Sequence, residues 1–78
     1  MIVYTGPNCP ACVALKRYLD GRGVAYQEID VFADAEAGAR LNDLNISSIP
    51  VIEWPNGEID PPGFQLDRVE SQLRKWGG

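Results

Sequence analysis

The hydrophobic and polar positions along this chain change in period, and the changes predict its first elements. Residues 1–5, MIVYT, form an apolar run that stops at Gly6, as a short buried strand does. Pro10 suits the first turn of a helix, where the N–H it lacks would have no partner, so Cys9 falls at the helix boundary. The segment 21–23, Gly-Arg-Gly, ends this helix. Its apolar stripe consists of Cys12, Val13, Leu15 and Leu19.

A second strand and a second helix follow. Residues 24–31, VAYQEIDV, mix β-branched and aromatic side chains with imperfect alternation, which favours a strand. Asp34 is a suitable N-cap for a helix over residues 35–44, although Gly38 weakens that helix. Asn45 is a suitable left-handed cap at its end.

The last third of the chain predicts a hairpin and a helix. Residues 51–54 form a third strand, and the turn at 55–57, Pro-Asn-Gly, joins it to a fourth strand at 58–60. The final amphipathic helix is marked by Leu66, Val69, Leu73 and Trp76. The order βαβαββα implies one parallel strand pair and one antiparallel hairpin. We therefore expect a single α/β domain over residues 1–78, a minimal thioredoxin fold with a mixed four-stranded sheet and three helices.

Composition narrows the function classes. The 78 residues contain 7 Lys and Arg against 11 Asp and Glu, a formal charge of −4, which argues against nucleic-acid binding. No stretch approaches the roughly 20 apolar residues of a membrane span. With no export signal visible, we expect a cytoplasmic protein. In that reducing compartment a cysteine pair is more often catalytic or metal-binding than a permanent disulfide.

Both cysteines lie in the segment NCPACV, residues 8–13. A structural zinc site needs four ligands, but the chain has no histidine and no further cysteine, so we expect no metal. A structural disulfide over so short a ring would remove little chain entropy. A thiol redox function, in contrast, accounts for the positions of both cysteines at the start of the helix. At a helix N-terminus the pKa of the Cys9 thiol falls, because the helix dipole and free N–H groups stabilise the thiolate. Cys9 is then the nucleophile and Cys12 the resolving thiol, and no bound cofactor is needed.

A second signal is Ser48-Ile49-Pro50, directly before the third strand. A cis Ile49-Pro50 bond would set the Ile49 backbone beside Cys9, ready to pair with an extended substrate segment. An ordinary trans proline at the start of an edge strand is the alternative, and on proline alone it is favoured, because about one X-Pro bond in twenty is cis.

Together, YTGPNCPACVALKRYL, YQEIDV, SSIPVIE and PPGFQLD resemble the glutaredoxin-like branch of the thioredoxin superfamily over nearly the whole chain, and NrdH-type redoxins most of all. The resemblance implies a small monomeric electron carrier that reduces a disulfide of ribonucleotide reductase. It also implies that electrons come from thioredoxin reductase, and so indirectly from NADPH.

The resemblance also implies roles for single residues. Cys9 matches the nucleophile, Cys12 the resolving thiol and Pro50 the family's cis-proline. The substrate-binding positions are Pro10, Ala11, Ile49, Pro50, Gly63 and Phe64, and the supporting positions are Lys16 and Asp67. Lys16 could equally be a solvated surface lysine. The segment 60–62, Asp-Pro-Pro, departs from the pattern, because a tryptophan usually stands there.

Two alternatives stay open. The loop CPAC is closer to a glutathione-dependent glutaredoxin than to the common redoxin loop, although Ala11 replaces the glutaredoxin's aromatic residue. Phe64 stands where glutaredoxins have the second glycine of a pair, so we expect glutathione binding to be weak or absent. The third reading is a binding module in which Cys9 helps to hold an iron–sulfur cluster across a dimer.

Overall fold

A computed structural model describes residues 1–76 of the chain. The strands are β1 (Ile2–Thr5), β2 (Gln27–Asp30) and β3 (Val51–Glu53). The helices are α1 (Pro10–Gly21), α2 (Ala35–Asp43) and α3 (Leu66–Trp76). The three predicted helices are therefore present, and α1 begins and ends where the sequence predicts.

The sheet is mixed, with β1 in its centre and the order β2-β1-β3. β1 pairs with β2 in parallel, with Ile2 opposite Gln27, and with β3 in antiparallel, with Ile2 opposite Glu53. The α1 crossover between parallel strands makes a βαβ unit. The architecture is a thioredoxin-like α/β fold.

The predicted fourth strand at residues 58–60 is wrong. Within residues 1–76 the sheet has three strands, and the segment after the turn forms one isolated bridge, between Glu53 and Ile59. Two backbone bonds hold the segment, since the Trp54 N–H donates to the Glu58 carbonyl at 2.8 Å and the Asp60 N–H to the Ile52 carbonyl at 3.1 Å. Two prolines follow at once and have no N–H to donate, so the ladder ends there.

β2 is shorter than the strand predicted over residues 24–31, and the first residue of that range takes part in the end of α1 instead. The Val24 N–H donates to the Leu19 carbonyl at 3.0 Å and so closes the helix instead of joining the sheet. The predicted caps of α2 are confirmed. Asp34 Oδ1 accepts from the Ala37 N–H at 3.0 Å, and Asn45 has a positive φ of 59°.

The core consists of two clusters on opposite faces of the sheet, because neighbouring strand residues point to opposite sides. One cluster joins α1 and α3 to the sheet and contains Val3, Leu15, Leu19, Ile52, Trp54, Val69 and Leu73. The other lies under α2 and contains Tyr4, Ala37, Leu41 and Val51. Each face is thus covered by helices. Across residues 1–76, every helix falls short of the length and apolarity needed to cross a membrane.

Candidate active site

Cys9 is the N-cap residue of α1. Asn8 has a positive φ of 54° and turns the chain, so that Cys9 is extended at φ −118° and ψ 95°. The Cys9 sulfur accepts the Cys12 backbone N–H at 3.1 Å, and Pro10 fills the first helical position. A sulfur that accepts N–H groups at a helix N-terminus is well placed to carry negative charge.

Cys9 and Cys12 form a disulfide, with their Cα atoms 5.2 Å apart. The two sulfurs differ in access, since Cys12 is 1% exposed while Cys9 is partly exposed. Cys9 opens on a shallow groove lined by Gly6, Pro7, Asn8, Pro10, Val13 and Lys16, and the nearly buried Cys12 also contributes to this lining. A reaction partner can therefore reach Cys9 more readily than Cys12.

The Ile49-Pro50 loop lies against Cys9. The Ile49-Pro50 peptide bond is cis, as the motif predicts, and Pro50 is buried. The Cys9 sulfur lies 3.9 Å from the Ile49 carbonyl oxygen. In the disulfide this sulfur carries no proton and donates no hydrogen bond. The Ile49 carbonyl oxygen can therefore accept an N–H from a bound segment.

The Gly63-Phe64 segment is tied to the same loop. The Gly63 N–H donates to the Pro50 carbonyl at 2.8 Å, and Gly63 has a φ of 105°, which favours glycine. The Phe64 ring is half-buried and packs on Tyr18 of α1, with ring centroids 5.9 Å apart and planes tilted by 44°. Phe64 thus also stabilises the packing of this segment on α1.

Lys16 is held in an ion pair, which the sequence did not reveal. Its Nζ donates to Glu28 Oε2 of β2 at 2.8 Å, and the buried Thr5 hydroxyl donates to the same oxygen at 2.8 Å. The bond from Lys16, with that from Thr5, lowers the pKa of the Glu28 carboxyl. The bond to Glu28 raises the pKa of Lys16. Glu28 lies twelve residues from Lys16, and no local motif predicts the pairing.

The departure at residues 60–62 has its own structural role. The buried Asp60 carboxylate accepts the Trp54 indole N–H at 2.8 Å and the Gln72 amide at 3.1 Å, and so links the segment after β3 to α3.

Ala11 is partly exposed in the first turn of α1. Asp67 is exposed in the first turn of α3, where a carboxylate favours the helix dipole. Among residues 1–76 no three His, Cys, Asp or Glu side chains are grouped as metal ligands.

Comparison with known proteins agrees with this geometry. The family model described as Glutaredoxin matches residues 1–59, which is more than half of the chain. A glutaredoxin of Neisseria meningitidis is 40% identical over 73 residues, which cover 90% of this chain and 84% of that protein.

Two solved structures share the fold. A thioredoxin-like protein superimposes with a TM-score of 0.82 and 41% identity, over 92% of this chain and 97% of the other. The glutaredoxin-like NrdH-redoxin of Escherichia coli, described as having a thioredoxin-like activity profile, superimposes with a TM-score of 0.79 and 28% identity. The match covers 90% of each chain.

Proposed function

Because the chain belongs to the glutaredoxin family, as an NrdH-type redox protein of the thioredoxin superfamily, we propose that it is a dithiol carrier that reduces protein disulfides. One observation carries the proposal. The accessible Cys9 sulfur accepts an N–H at the start of α1 and is bonded to a Cys12 that is 1% exposed. This asymmetry supports Cys9 as the thiol that attacks the substrate and Cys12 as the thiol that releases the product.

The reaction consists of two exchanges. In the reduced protein the Cys9 thiolate attacks one sulfur of the substrate disulfide, which forms a mixed disulfide and expels the other sulfur as a thiolate. The Cys12 thiolate then attacks Cys9, which releases the second substrate thiolate and forms the Cys9–Cys12 disulfide. Both released thiolates take up protons. Two electrons and two protons therefore pass to the substrate, and a reductase must return them.

The substrate would bind along the loops beside Cys9. The Ile49 carbonyl next to the sulfur can accept an N–H from an extended segment, as a strand added to a sheet edge does. Pro50 and Gly63 fix that backbone through their 2.8 Å hydrogen bond. In this proposal Pro10 of the groove, the neighbouring Ala11 and Phe64 would supply apolar area to the substrate. Lys16, held by Glu28, and Asp67 support the surrounding helices.

For the partners, we propose thioredoxin reductase as the electron donor and ribonucleotide reductase as the acceptor, with NADPH used only through the reductase. The likeness to a redoxin with a thioredoxin-like activity profile supports the first part. Glutathione offers little surface to bury, and Phe64 replaces a residue that would have to be small for it. A cytoplasmic location suits this chemistry, because thiols stay reduced there.

A glutathione-dependent glutaredoxin is the second candidate, and the 40% identity to the Neisseria glutaredoxin favours it. Both candidates use the same cysteine chemistry and differ in the electron donor. The experiment must therefore compare donors with one protein substrate. The third reading, a cluster-binding module, predicts a brown protein when freshly purified, whereas a dithiol carrier is colourless.

The test is NADPH consumption with insulin as the disulfide substrate. We expect the wild-type protein to couple efficiently to thioredoxin reductase and at least about tenfold less to glutathione with glutathione reductase, a difference of roughly 1.4 kcal/mol. Cys9→Ser and Cys12→Ser are the controls and should both stop turnover. Equal turnover with the two donors would reject the redoxin assignment in favour of the glutaredoxin.

A further inference from the structure

Phe32 is the most exposed of the large apolar side chains, at 75%. It lies on the turn that follows β2, here called the Phe32 turn (residues 30–33). Asp30 Oδ1 accepts the backbone N–H groups of Phe32 at 2.8 Å and Ala33 at 3.3 Å, and the Val31 N–H donates to the Thr5 carbonyl at 2.9 Å. An ordered turn thus holds the ring in solvent, where it adds little to the stability of the fold.

The ring lies beside the active-site loops. A Cβ atom added to Gly6 would lie 2.5 Å from the Phe32 ring and 2.8 Å from Ile49 Cδ1, so the Phe32 ring and the Ile49 side chain are neighbours over the Gly6 backbone. Ile49 in turn contacts the Cys9 sulfur through its carbonyl. The Phe32 ring and the Ile49 side chain therefore form a short apolar strip, and the Ile49 carbonyl lies against Cys9.

Exposed carboxylates flank the far end of this strip. Asp30 precedes Phe32, and Asp34 and Glu36 follow it at the start of α2. The basic side chain nearest to Cys9 along the groove, Lys16, is paired with Glu28. The surface beyond Phe32 thus carries negative charge, which favours basic groups on a partner.

We propose that Phe32 and its flanking carboxylates select the protein substrates of this carrier. The ligand is an extended segment of the substrate protein, with an apolar side chain near the reacting cysteine that packs on Phe32 and a basic side chain beyond it that faces Asp30 and Asp34. The proposal rests on the proposed function, since the segment must present a cysteine to Cys9.

The arrangement fits an extended segment for two reasons. Side chains two residues apart in an extended chain lie on one face, so a residue near the cysteine can reach the strip while the backbone meets the Ile49 carbonyl. The hydrogen bonds of the turn also order its backbone before binding, so that little backbone entropy is lost when the ring is covered.

The test uses 2-nitro-5-thiobenzoate (TNB) mixed disulfides of short peptides and the Cys12→Ser background. The Cys9 thiolate attacks the cysteine sulfur of the peptide, a new disulfide forms, and TNB leaves as a coloured thiolate. One peptide carries Leu at the second residue and Arg at the fourth residue on each side of its cysteine. In two further peptides, Ser replaces Leu or Glu replaces Arg. The mixed disulfide of 2-mercaptoethanol and TNB serves as the small probe.

We expect the rate constant for the Leu-Arg peptide to exceed those for the other two peptides by about tenfold or more, as an anchor contact provides. Adding Phe32→Ser should remove the preference for Leu. Asp30→Asn combined with Asp34→Asn should remove the preference for Arg, because asparagine keeps both backbone caps but not the charge. Leu44→Ser, which alters an apolar side chain 47% exposed at the end of α2, should change neither preference.

The outcomes separate this inference from the proposed function. If the small probe reacts but all three peptides react equally, or if Phe32→Ser keeps the preference for Leu, the inference is wrong while the Cys9 chemistry stands. If the small probe does not react with Cys9, the proposed function fails. Phe32→Ser should leave the small-probe rate within about twofold, since that probe is too short to reach the ring.

Discussion

At the scale of single residues, the chemistry depends on one helix cap. An N-cap side chain usually supplies an oxygen to an N–H of the first turn, and here the Cys9 sulfur accepts the Cys12 N–H at 3.1 Å. The same hydrogen bond favours the thiolate form after reduction. Three residues later the helix has turned Cys12 into the core. One local geometry therefore leaves the Cys9 sulfur accessible beside a backbone N–H and buries the Cys12 sulfur.

This difference predicts the order of alkylation. In the reduced protein, limiting iodoacetamide near neutral pH should label Cys9 well before Cys12, because Cys12 is 1% exposed. Peptide mapping by mass spectrometry gives the ratio. Cys9→Ser and Cys12→Ser, treated in the same way, report each thiol alone, and the Cys9→Ser protein should react slowly. Faster labelling of Cys12 would reverse the two roles.

At the scale of elements, an ion pair joins α1 to β2 beside the active-site groove. Lys16 and Glu28 are 30% and 41% exposed, so solvent screens their attraction, and the pair should contribute about 0.5 kcal/mol to the free energy of unfolding. Glu28 also satisfies the buried Thr5 hydroxyl at the end of β1. The Glu28 carboxylate of β2 thus connects α1 and β1, because it accepts one hydrogen bond from the charged Lys16 and one from the neutral Thr5 hydroxyl.

The pKa shifts fix the pH range of this contribution. The pKa of Glu28 is lowered from its usual value of 4.5. The contribution of Glu28 to the free energy of unfolding is therefore complete above pH 4.5 and is lost as the pH falls below that value. The pKa of Lys16 is raised from its usual value of 10.5. The contribution of Lys16 to the free energy of unfolding is therefore complete below pH 10.5 and is lost as the pH rises above that value.

We therefore expect Glu28→Gln, which keeps an acceptor for Thr5, to lower stability by about 0.5 kcal/mol between those limits, and the difference to shrink outside them. The measurement is urea unfolding across the pH range of the wild type, Glu28→Gln, Lys16→Met and the double variant. These four proteins form a double-mutant cycle that gives the coupling energy of the ion pair. A coupling energy that does not change with pH would exclude the ion pair as its source.

At the scale of the whole molecule, buried polar contacts hold the segment that follows β3, residues 54–60, against α3. Asp60 accepts from Trp54 of the hairpin and from Gln72 of the helix, and Gln72 also donates to Glu58 at 2.6 Å. Gly63 and Phe64 lie between Asp60 and α3, so these contacts also hold the segment that packs beside Pro50. The position of this segment beside Pro50 thus depends on buried residues away from Cys9.

Removing this acceptor should be costly. Asp60→Ala leaves the buried Trp54 indole N–H without its acceptor, while the Gln72 amide keeps only its bond to Glu58, and we expect a loss of about 1 to 3 kcal/mol in the free energy of unfolding. Asp60→Asn should cost less, since its amide oxygen still accepts one of the two donors. Asp43→Ala, at an exposed aspartate, is the control and should change stability by less than about 0.5 kcal/mol. An Asp60→Ala protein as stable as the wild type would show that this network is not a stabilising one.

The sequence by itself determined the features that depend on neighbours along the chain. Pro10 after Cys9 predicted the start of α1, and Asp34 predicted the cap of α2. Both features follow from local hydrogen bonding. The cis bond at Pro50 was expected only from the family resemblance, because proline alone favours the trans form. Helical spacing of apolar residues likewise predicted α3, because one face of a helix must meet the core.

Only the tertiary structure decided which distant residues meet. Glu28 pairs with Lys16, Asp60 with Trp54 and Gln72, and the Phe32 turn lies beside Ile49. The absence of the fourth strand from the sheet of residues 1–76 has both a local and a tertiary cause, since two prolines follow residue 60 in the sequence and the Asp60 side chain is buried against Trp54. Such contacts depend on the register of the strands and on how the helices cross them, and no pattern of neighbouring residues specifies either.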